Sequence, residues 1–538
     1  MRTAFEYQDI TYEAPASGWV DGVYYPRVPQ TADGGSFLTQ QKGLMKLQSR
    51  AWKEIEETGY GIYYYEETTV LNTTLDGSNY EVDITLANPT DRPYSCHIRF
   101  NGIVKAEAVT VEAGEEKSIK LIACMTDGAL GMSFVTGAMS ELSDEVLTGE
   151  VYIKNIVIVP EQPKQRKEKP TVYLVSDSTV QSYEKRFYPQ AGWGQVLYQF
   201  FEGAGEYREY RAKHSSYSLC RTYELPKLVI ENRAIGGRSA KSFYDEGKLD
   251  EVLEIICPGD FMFVQFAHND ATAIRPNRYI APEDFPFYIQ RYIDACRRRG
   301  AQVVLVTPVA MRTCGEGEEF SISFAPYREQ MLKLAKEQNI PLLDLGAEST
   351  GYLNRIGAEE SKSIYLWLAE GEYPDGAYAA GVSDKAHLQE YGAKVYANIV
   401  AKLIQEYDLD DRLDALKALA APKQEIEKPK KSVAGKGADK PADMVTGFVA
   451  QEISIENGKG SFLLNWNVVE NAAAYHVYAK KKEELTFEIV KVVTKAEKEA
   501  YATLPFTAEA GICWQYYVTA VFENGSEGHA SRMVEVEL

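Results

Sequence analysis

The stretch TVYLVSDSTVQSY, residues 171–183, decides the fold class of the largest part of the chain. Its apolar run, VYLV, is followed at once by the hydroxyl side chains of Ser176, Ser178, Thr179 and Ser182. A short, wholly apolar strand that ends in a polar turn is typical of a parallel sheet covered by helices on both faces. Because Ser and Thr are ordinary turn residues, a nucleophile among these hydroxyls requires partners elsewhere in the chain.

The alternation of strand and helix that begins there continues to about residue 408. The apolar runs FMFVQFA, VVLVTPV and PLLDL are separated by amphipathic segments such as EDFPFYIQRYIDACRRRG. This pattern predicts a three-layer α/β domain with a parallel sheet over residues 171–408. Active sites of such domains lie at the carboxyl ends of the strands, where residues 176–179 and 266–270 fall.

A β-sandwich is predicted on the amino-terminal side, over residues 1–165. In NYEVDITLANP the apolar positions alternate with polar ones, which indicates a half-buried strand; they are Tyr80, Val82, Ile84 and Leu86. The Pro- and Lys-rich stretch EQPKQRKEKP that follows the sandwich predicts a linker.

A second β-sandwich is predicted at the carboxyl-terminal side, over residues 444–538. Residues 422–443 are rich in Lys, Pro and Gly without periodicity, which predicts a flexible linker before it. The strand patterns SFLLNWNVV, AYHVYAK and QYYVTAVFENGSEG come next, and the last one closes on an Asn-Gly turn. The position of Trp466 and this last stretch resemble a fibronectin type III domain.

The composition limits the number of domains and the classes of partner that we expect for the protein. The chain has 538 residues, which predicts roughly three domains. Its formal net charge of -20 argues against nucleic acid and anionic membranes as partners. No segment reaches the ~18 uncharged apolar residues of a membrane span. A polyanionic substrate such as pectin would need a local basic patch on this acidic protein.

The seven cysteines are odd in number, scattered and without a C-x-x-C pair. They indicate buried free thiols in a reducing compartment rather than a disulfide framework or a zinc ribbon. Since MRTAFEYQDITYEAP contains no apolar signal core, we expect a cytoplasmic protein, or a secreted one if a signal segment has been removed. The sequence contains none of the common metal or nucleotide motifs, so we expect no metal and no other cofactor.

The motifs of the common serine hydrolases do not supply the missing partners. The lipase elbow G-x-S-x-G is absent, and SYEK at 182–185 matches S-x-x-K without an accompanying K-T-G. Histidine is the usual general base for a serine, and the α/β block contains His214, His268 and His387. His387 follows Asp384 by three residues, so the carboxylate can fix the tautomer of the imidazole; alternatively, Asp384 only caps the next helix.

The order of four short blocks favours the catalytic interpretation. DST at 177–179, NRAIGGRSAKSF at 232–243, QFAHND at 265–270 and SDKAHLQEYGA at 383–393 follow one another along the chain. They resemble the Ser, Gly, Asn and His blocks of the SGNH (GDSL-like) hydrolases. AGWGQVL at 191–197 and the stretch GEYPDG are similar to the rhamnogalacturonan acetylesterases, family twelve of the carbohydrate esterases.

This resemblance implies a role for each matching residue. Ser178 would be the nucleophile, His387 the base and Asp384 the carboxylate that orients it. The backbone N–H groups of Ser178 and Gly237 and the amide of Asn269 would donate to the oxyanion. From the residues alone, Gly237 is also explained as a turn glycine and Asn269 as an Asx-turn residue.

We also expect substrate contacts for Trp193, Arg238 and His268. For His268 the sequence favours the alternative of a packed imidazole near the site, because one base suffices. The sequence departs from the family's pattern where Ser176 and Ala267 replace glycines.

The expected activity is that of a metal-independent serine esterase. It would remove O-acetyl groups from a plant cell-wall polysaccharide, foremost the acetylated rhamnogalacturonan of pectin. The alternatives are an acetyl-xylan or other hemicellulose acetylesterase and, in a different class, a non-catalytic carbohydrate-binding protein. We expect activity to fall as His387 protonates, near an unperturbed pKa of about 6.5.

Two further segments have two interpretations each. The amino-terminal sandwich, which resembles the galactose-binding-like domains that accompany such esterases, either binds sugar or braces the catalytic domain. The polar segment 205–228 either walls the substrate groove or forms a solvated surface loop.

Overall fold

The structure, a computed structural model, divides into two compact units. One contains residues 1–170, 238–304 and 329–340, and the other contains residues 171–237, 305–328 and 341–538. The predicted domain boundaries stay predictions, and most of the predicted linker at 422–443 lies outside the described residues. Besides six short strands before residue 64, the structure describes residues 66–136, 150–275, 277–315, 317–373, 377–428, 442–456, 459–482, 484, 487–500 and 503–537.

The amino-terminal part consists of β-strands, as the alternating pattern predicts. They are β1 (Thr3–Glu6), β2 (Gly18–Val20), β3 (Val23–Tyr25), β4 (Met45–Gln48), β5 (Glu54–Ile55), β6 (Ile62–Tyr63), β7 (Glu66–Thr74), β8 (Asn79–Ala87), β9 (Tyr94–Phe100), β10 (Ile103–Val111), β11 (Glu116–Cys124), β12 (Ala129–Thr136) and β13 (Glu150–Pro160).

Two of the sheets in this part share one hydrophobic core. One sheet has the strand order β1-β13-β8-β11, with β4 also paired to β13, and the other has the order β10-β9-β12-β7. The alternation predicted for β8 is confirmed, because Val82, Ile84 and Leu86 are fully buried and pack with Ile98 of β9 and Phe134 of β12. Burial of each such side chain contributes about 1.5–3 kcal/mol to folding. The galactose-binding-like assignment of this sandwich stays a prediction.

The middle of the chain alternates strands and helices, and this prediction is confirmed. Its elements are β14 (Thr171–Val175), α1 (Trp193–Val196), β15 (Arg208–Arg211), β16 (Arg221–Glu224), β17 (Val229–Asn232), α2 (Ala240–Asp245), α3 (Lys248–Leu253), β18 (Phe261–Val264), α4 (Phe285–Arg298), β19 (Gln302–Val306), α5 (Ala325–Gln338), β20 (Leu342–Leu343), α6 (Leu345–Glu360), β21 (Tyr365–Leu368), β22 (Val382–Leu388), α7 (Glu390–Glu406) and α8 (Asp414–Lys417).

Within the second unit, β15, β16, β17 and β14 are neighbours in one sheet, in that order. β14 pairs with β17 in parallel, and β19 pairs with β20 in parallel, as expected from the wholly apolar runs. β14 and β18 are buried along their entire length.

The polar segment 205–228 contributes two strands to this sheet, which neither of its two interpretations anticipated. β15 pairs antiparallel with β16, and β16 pairs antiparallel with β17. β15 is the edge strand, and its side chains at Arg208 and Arg211 are exposed. Because charges on an edge strand discourage pairing with other chains, the polar sequence REYR suits this position although it does not resemble a core strand.

The amino-terminal sandwich is anchored on α3 and on the end of α4 within the first unit. Lys105 Nζ lies 2.9 Å from Asp250 Oδ2, and both side chains are at most 10% exposed. Arg299 donates hydrogen bonds of 2.9 Å to the carbonyl groups of Ser78 and Met125. Breaking a buried ion pair typically costs about 3–5 kcal/mol, so these contacts favour the bracing role of the sandwich.

The carboxyl-terminal part forms a second sandwich. Its sheets have the orders β23-β24-β27 and β26-β25-β28-β29, and their side chains share one core around the buried Trp466. The predicted Asn-Gly turn follows β28, where Gly525 has φ +83°. The elements are β23 (Val449–Glu456), β24 (Lys459–Asn465), β25 (Ala474–Lys481), β26 (Glu488–Thr494), α9 (Lys495–Ala500), β27 (Leu504–Glu509), β28 (Cys513–Val521) and β29 (Val534–Glu537).

This second sandwich contacts the α/β elements of the same unit. The backbone N–H of Glu209 donates to the carbonyl of Asn524 at 2.8 Å, and the rings of Tyr188 and His529 meet edge to face at 4.1 Å between centroids. A Cβ added to Gly525 would lie 2.3 Å from the Glu209 carbonyl oxygen, so only glycine allows this approach. The sandwich is therefore held against the edge hairpin by several specific contacts.

The seven cysteines are free thiols, and five of them are buried. Among the described helices, none has the length and apolarity needed to cross a membrane. The cellular location stays a prediction.

Candidate active site

The turn after β14 presents one hydroxyl and buries its neighbours. The Oδ1 atom of Asp177 accepts hydrogen bonds from the backbone N–H (2.9 Å) and the hydroxyl (2.8 Å) of Thr179. This Asx turn sends the chain sharply away from the strand end. Ser178 is half-buried at its tip, whereas Ser176 and Ser182 are at most 4% exposed. Ser178 is thus the hydroxyl of this stretch that a substrate can reach.

Three side chains predicted to act together are joined by hydrogen bonds. His387 Nε2 lies 3.0 Å from Ser178 Oγ, and His387 Nδ1 lies 2.7 Å from Asp384 Oδ2. The other carboxylate oxygen, Oδ1 of Asp384, accepts from the backbone N–H groups of Ala386 (2.7 Å) and His387 (2.9 Å). This arrangement has the geometry in which a serine loses its proton to an imidazole that a carboxylate orients.

Asp384 does not cap the helix that follows, so that alternative is wrong. Asp384 and His387 both lie on β22, which pairs antiparallel with β21. α7 begins only at Glu390, with Gln389 as its capping residue. The carboxylate is therefore free of the helix and is held by the backbone of its own strand.

The electrostatics of the pair favour a charged imidazole. Burial on its own would lower the pKa of His387, but the hydrogen bond and the negative charge of Asp384 outweigh it and hold the pKa above its ordinary value. Burial on its own would raise the pKa of Asp384, but the contacts to His387 and two backbone N–H groups lower it to about 2. The expectation of an unperturbed pKa for His387 is therefore corrected, because the pKa lies above that value.

We expect the acid limb of the pH–rate profile to lie above pH 6.5. A base acts only in its neutral form, and a raised pKa means that His387 keeps its proton up to a higher pH, so activity falls as the pH decreases through that pKa. The measurement is kcat/KM for an aryl acetate as a function of pH, which reports the free enzyme. A limb centred below pH 6.5 would contradict the electrostatic account of the pair.

The loop at 236–237 lies beside Ser178. Gly237 has φ +77°, a conformation that favours glycine. A Cβ added to Gly236 would lie 3.5 Å from the Cβ of Ser178 and 2.8 Å from Oε1 of Gln181. In the described part of the chain, the backbone N–H groups of Ser178 and Gly237 donate to no protein acceptor. Both groups are available to an oxygen of a substrate.

Asn269 follows β18 in the first unit, and its amide is held on both sides. Nδ2 donates to the carbonyl of Arg238 at 3.0 Å, and Oδ1 accepts from Arg278 at 3.3 Å. Since Nδ2 carries two hydrogens, one remains for a further acceptor. Among the described hydrogen bonds Oδ1 accepts from no backbone N–H, so the geometry is not that of an Asx turn.

Ala267 stands at a backbone position that favours glycine. Its φ is +144°, a region that side chains with a Cβ rarely adopt, and the residue is fully buried. Strained backbone of this kind costs of order 1–3 kcal/mol and gathers at functional sites. Alanine therefore adopts this unusual conformation at a cost in strain.

The three residues predicted to contact substrate have different surroundings. Trp193 is buried in α1 with 1% exposure, and its substrate contact stays a prediction. Arg238 is half-buried and pairs with Glu246 at 2.9 Å. His268 is half-buried beside Asn269, and its substrate contact stays a prediction.

Two residues near Ser178 were missed by the sequence analysis. The hydroxyl of Tyr183 donates to the backbone carbonyl of Ser178 at 2.7 Å. Gln181 is 5% exposed, and its side-chain oxygen accepts from the N–H of Gly236. The two side chains tie the nucleophile turn to its surroundings, and both stand in the opening stretch, but a lone Gln or Tyr in a turn carries no recognisable signal.

A metal centre is not indicated in the part of the chain that the structure describes. Its residues contain no group of three or more His, Cys, Asp or Glu side chains that could hold an ion.

Comparison with known proteins places the chain among esterases. No family model matches it. It is similar to the rhamnogalacturonan acetylesterase RhgT of Bacillus subtilis (strain 168), with 32% identity over 238 residues, which are 44% of this chain and 90% of that protein. The probable rhamnogalacturonan acetylesterase YesY of the same organism is 36% identical over 240 residues, which are 44% of this chain and 94% of that protein. The uncharacterized esterase YxiM, also from this organism, is 27% identical over 348 residues, 62% of this chain and 77% of that protein.

Proposed function

Because the chain belongs to the rhamnogalacturonan acetylesterases, a family of SGNH hydrolases, and is thus a carbohydrate acetylesterase, we propose that it removes O-acetyl groups from acetylated rhamnogalacturonan. The observation that carries the proposal is the hydrogen-bonded series Ser178–His387–Asp384, with 3.0 Å and 2.7 Å between the paired atoms. The substrate is proposed from the names of the relatives, and the chemistry from the geometry of the residues.

In the proposed mechanism, Ser178 first takes up the acetyl group, and water then removes that group as acetate. His387 Nε2 takes the Ser178 proton as Oγ attacks the acetyl carbonyl carbon, and the imidazolium then gives that proton to the departing sugar oxygen. A water molecule loses its proton to the same nitrogen, attacks the acetyl-serine and releases acetate. Asp384, held by two backbone N–H groups, keeps the imidazole in the tautomer that leaves Nε2 free to accept.

The oxyanion formed in both steps needs donors that are already in place. We propose that the backbone N–H groups of Ser178 and Gly237 supply two of them, because each is without a protein acceptor in the described residues. The resemblance of QFAHND to the family's Asn block supports the amide of Asn269 as the third donor.

Changing Asn269 to Asp is expected to lower kcat by more than the roughly 10²–10³-fold that follows the loss of one oxyanion donor. The change replaces a donor by a negative charge beside a developing negative charge. KM should change far less, since the lost interaction belongs to the transition state. Steady-state kinetics of purified Asn269→Asp measures both quantities.

A matched control is Asn467→Asp, which makes the same charge change in the carboxyl-terminal sandwich, where the amide bonds only to the hydroxyl of Thr446 among the described contacts. The control should keep its kcat. The fold of Asn269→Asp should survive, because the neighbouring Arg278 pairs well with a carboxylate. A folded Asn269→Asp protein with kcat within a few-fold of wild type would refute the oxyanion role.

The choice of polysaccharide is tested by acetate release from a panel. We expect faster release from acetylated rhamnogalacturonan than from acetylated xylan, with the Ser178→Ala protein as the blank. Release from xylan alone would favour the hemicellulose alternative. Hydrolysis of p-nitrophenyl acetate by wild type excludes the non-catalytic alternative in the same experiment.

A further inference from the structure

Ser178 and Gln181 are neighbours in the turn that follows β14. The backbone N–H of Gln181 donates to the carbonyl of Asp177 at 3.1 Å, which closes one helical turn over these residues. Side chains three positions apart in such a turn lie side by side. Both face Gly236, because a Cβ added to that glycine would lie 3.5 Å from Cβ of Ser178 and 2.8 Å from Oε1 of Gln181. Gln181 therefore lies between the nucleophile turn and the glycine loop (residues 236–237).

The side-chain oxygen of Gln181 joins this turn to two other segments. Oε1 accepts from the backbone N–H of Gly236 and from the hydroxyl of Tyr217, the latter at 3.2 Å. Gln181 is buried, and a buried acceptor of this kind is costly to lose because its removal takes a partner from both donors at once. The bond to Gly236 also holds the residue that precedes Gly237, whose N–H is one of the proposed oxyanion donors.

Tyr217 lies in the loop between β15 and β16, and this loop is well fixed. The guanidinium group of Arg233 donates to the carbonyls of Lys213 at 2.7 Å and His214 at 3.2 Å. Arg233 is itself buried, and a carboxylate oxygen of Glu231 accepts from it at 2.6 Å. Because Arg233 precedes the glycine loop by three residues, a second set of bonds holds the loop of Tyr217 and the glycine loop together.

The hairpin of β15 and β16 has further contacts on both of its strands. The hydroxyl of Tyr223 on β16 lies 3.2 Å from the hydroxyl of Ser182 in the nucleophile turn. The backbone N–H of Glu209 on β15 donates to the carbonyl of Asn524 in the carboxyl-terminal sandwich at 2.8 Å. Tyr217 is therefore carried by a hairpin that the sheet and the sandwich hold in place.

We propose that Gln181 and Tyr217 are positioning residues, which hold the N–H of Gly237 at the place where the oxyanion forms. The inference rests on the proposed function, because the oxyanion exists only if Ser178 attacks an ester. Gln181 acts directly on the glycine loop, and Tyr217 acts by fixing the side-chain oxygen of Gln181. A displacement of about 1 Å at a site of reaction can cost on the order of 10²-fold in rate, so a small relaxation of this loop has a large effect.

The first test changes Gln181 to Met, which keeps the approximate volume of the buried side chain and removes its acceptor. We expect kcat to fall by roughly 10–10²-fold, less than the roughly 10²–10³-fold that follows the complete loss of an oxyanion donor. KM should change far less, because the oxyanion forms only after the substrate is bound. The measurement is the steady-state hydrolysis of p-nitrophenyl acetate.

Inhibition by phenylboronic acid separates a misplaced donor from a general loss of structure. Ser178 Oγ forms a bond to boron and its proton passes to His387, which leaves a negatively charged tetrahedral boronate that resembles the transition state. We expect the Ki of Gln181→Met to rise by about the factor by which kcat/KM falls, because the same donor stabilises both species. An effect through the stability of the fold would change neither quantity in a protein that is folded during the assay.

The second test changes Tyr217 to Phe, which removes only the hydroxyl that holds Gln181. We expect kcat to fall by about two- to tenfold, the factor that corresponds to one hydrogen bond. The double variant Gln181→Met/Tyr217→Phe should have the kcat of Gln181→Met alone, because the hydroxyl acts through an oxygen that is already absent. Losses that multiply would show that Tyr217 acts independently of Gln181 and would overturn the proposal.

A matched control is Gln515→Met, the same substitution at another buried glutamine of the same unit. Nε2 of Gln515 donates to a carboxylate oxygen of Glu535 at 2.7 Å in the carboxyl-terminal sandwich. This variant should keep the kcat and the Ki of wild type. A thermal melt establishes that each variant is folded at the assay temperature.

The outcomes separate this inference from the proposed function. If Ser178→Ala abolishes hydrolysis while folded Gln181→Met keeps kcat within twofold of wild type, the positioning role is overturned and the esterase proposal stands. If Gln181→Met does not fold, Tyr217→Phe decides, and an unchanged kcat and Ki in that folded protein overturn the role. If wild type hydrolyses no ester, or if Ser178→Ala hydrolyses it as fast as wild type, the proposed function is wrong and the positioning role is wrong with it.

Discussion

Replacing Ser178 by alanine is expected to lower kcat by on the order of 10⁴ or more, because the nucleophile of both chemical steps is lost. The hydroxyl that disappears is the one 3.0 Å from His387 Nε2. The fold should be unchanged, since Ser178 is half-buried and its backbone carbonyl still accepts from Tyr183. The measurement is the initial rate of acetate release at saturating substrate.

Two neighbouring serines serve as controls for this change. Ser176 is 1% exposed at the end of β14, and the hydroxyl of Ser182 lies 3.2 Å from that of Tyr223 and 3.1 Å from the amide of Asn232. Neither contacts His387 among the described hydrogen bonds. Ser176→Ala and Ser182→Ala should therefore retain a substantial fraction of the activity, and an equal loss in either of them would speak against Ser178.

Changing Asp384 to Asn is expected to lower kcat by about 10⁴ while the fold is kept. The Asn oxygen can still accept from the backbone N–H groups of Ala386 and His387, as Oδ1 of Asp384 does now. The new NH2 group then faces Nδ1 of His387, 2.7 Å from the present Oδ2, and can only donate to it. The imidazole is forced to carry its proton on Nε2, where it cannot accept the proton of Ser178.

A histidine–carboxylate pair outside the site provides the control for this change. His529 Nδ1 lies 2.5 Å from Asp443 Oδ1, and the pair has no contact with Ser178 in the described structure. Asp443→Asn should leave kcat close to that of wild type. An Asp384→Asn protein that lost less than about tenfold would show that Asp384 does not set the tautomer.

The sequence predicted the fold where apolar residues follow a regular period. Val82, Ile84 and Leu86 alternate into the core of the first sandwich, and the wholly apolar runs became buried strands. It did not predict the hairpin of β15 and β16, because an edge strand with exposed charges, as at Arg208, lacks an apolar period. Edge position depends on the neighbouring strands, which a local pattern does not contain.

The order of the motifs was enough to choose the members of the candidate site. It did not predict how buried each of these side chains is or what it contacts. Ser178, Asp384 and His387 come together as the resemblance implies, although their roles stay proposals. Trp193 was expected to contact substrate, yet it is buried with 1% exposure. The exposure of a single tryptophan depends on packing between elements, so the residues next to it in the sequence could not predict whether it is buried.

The sequence analysis also could not predict the electrostatic surroundings of individual residues. The net charge of -20 argued that an anionic polysaccharide needs a basic patch, without showing where the patch lies. The raised pKa of His387 depends on the folded contact with Asp384.

The central claim, that Ser178 is the nucleophile, is tested most directly by covalent labelling with a serine-directed sulfonyl fluoride. The reagent sulfonylates the serine that an adjacent base activates and releases fluoride, so the modified residue is identified by peptide mass spectrometry after activity is lost. We predict one label per chain, on Ser178, with activity falling in proportion to its occupancy, and no label on the Ser178→Ala protein. Inactivation with the label on Ser176, Ser182 or any other residue, and Ser178 unmodified, would contradict the account.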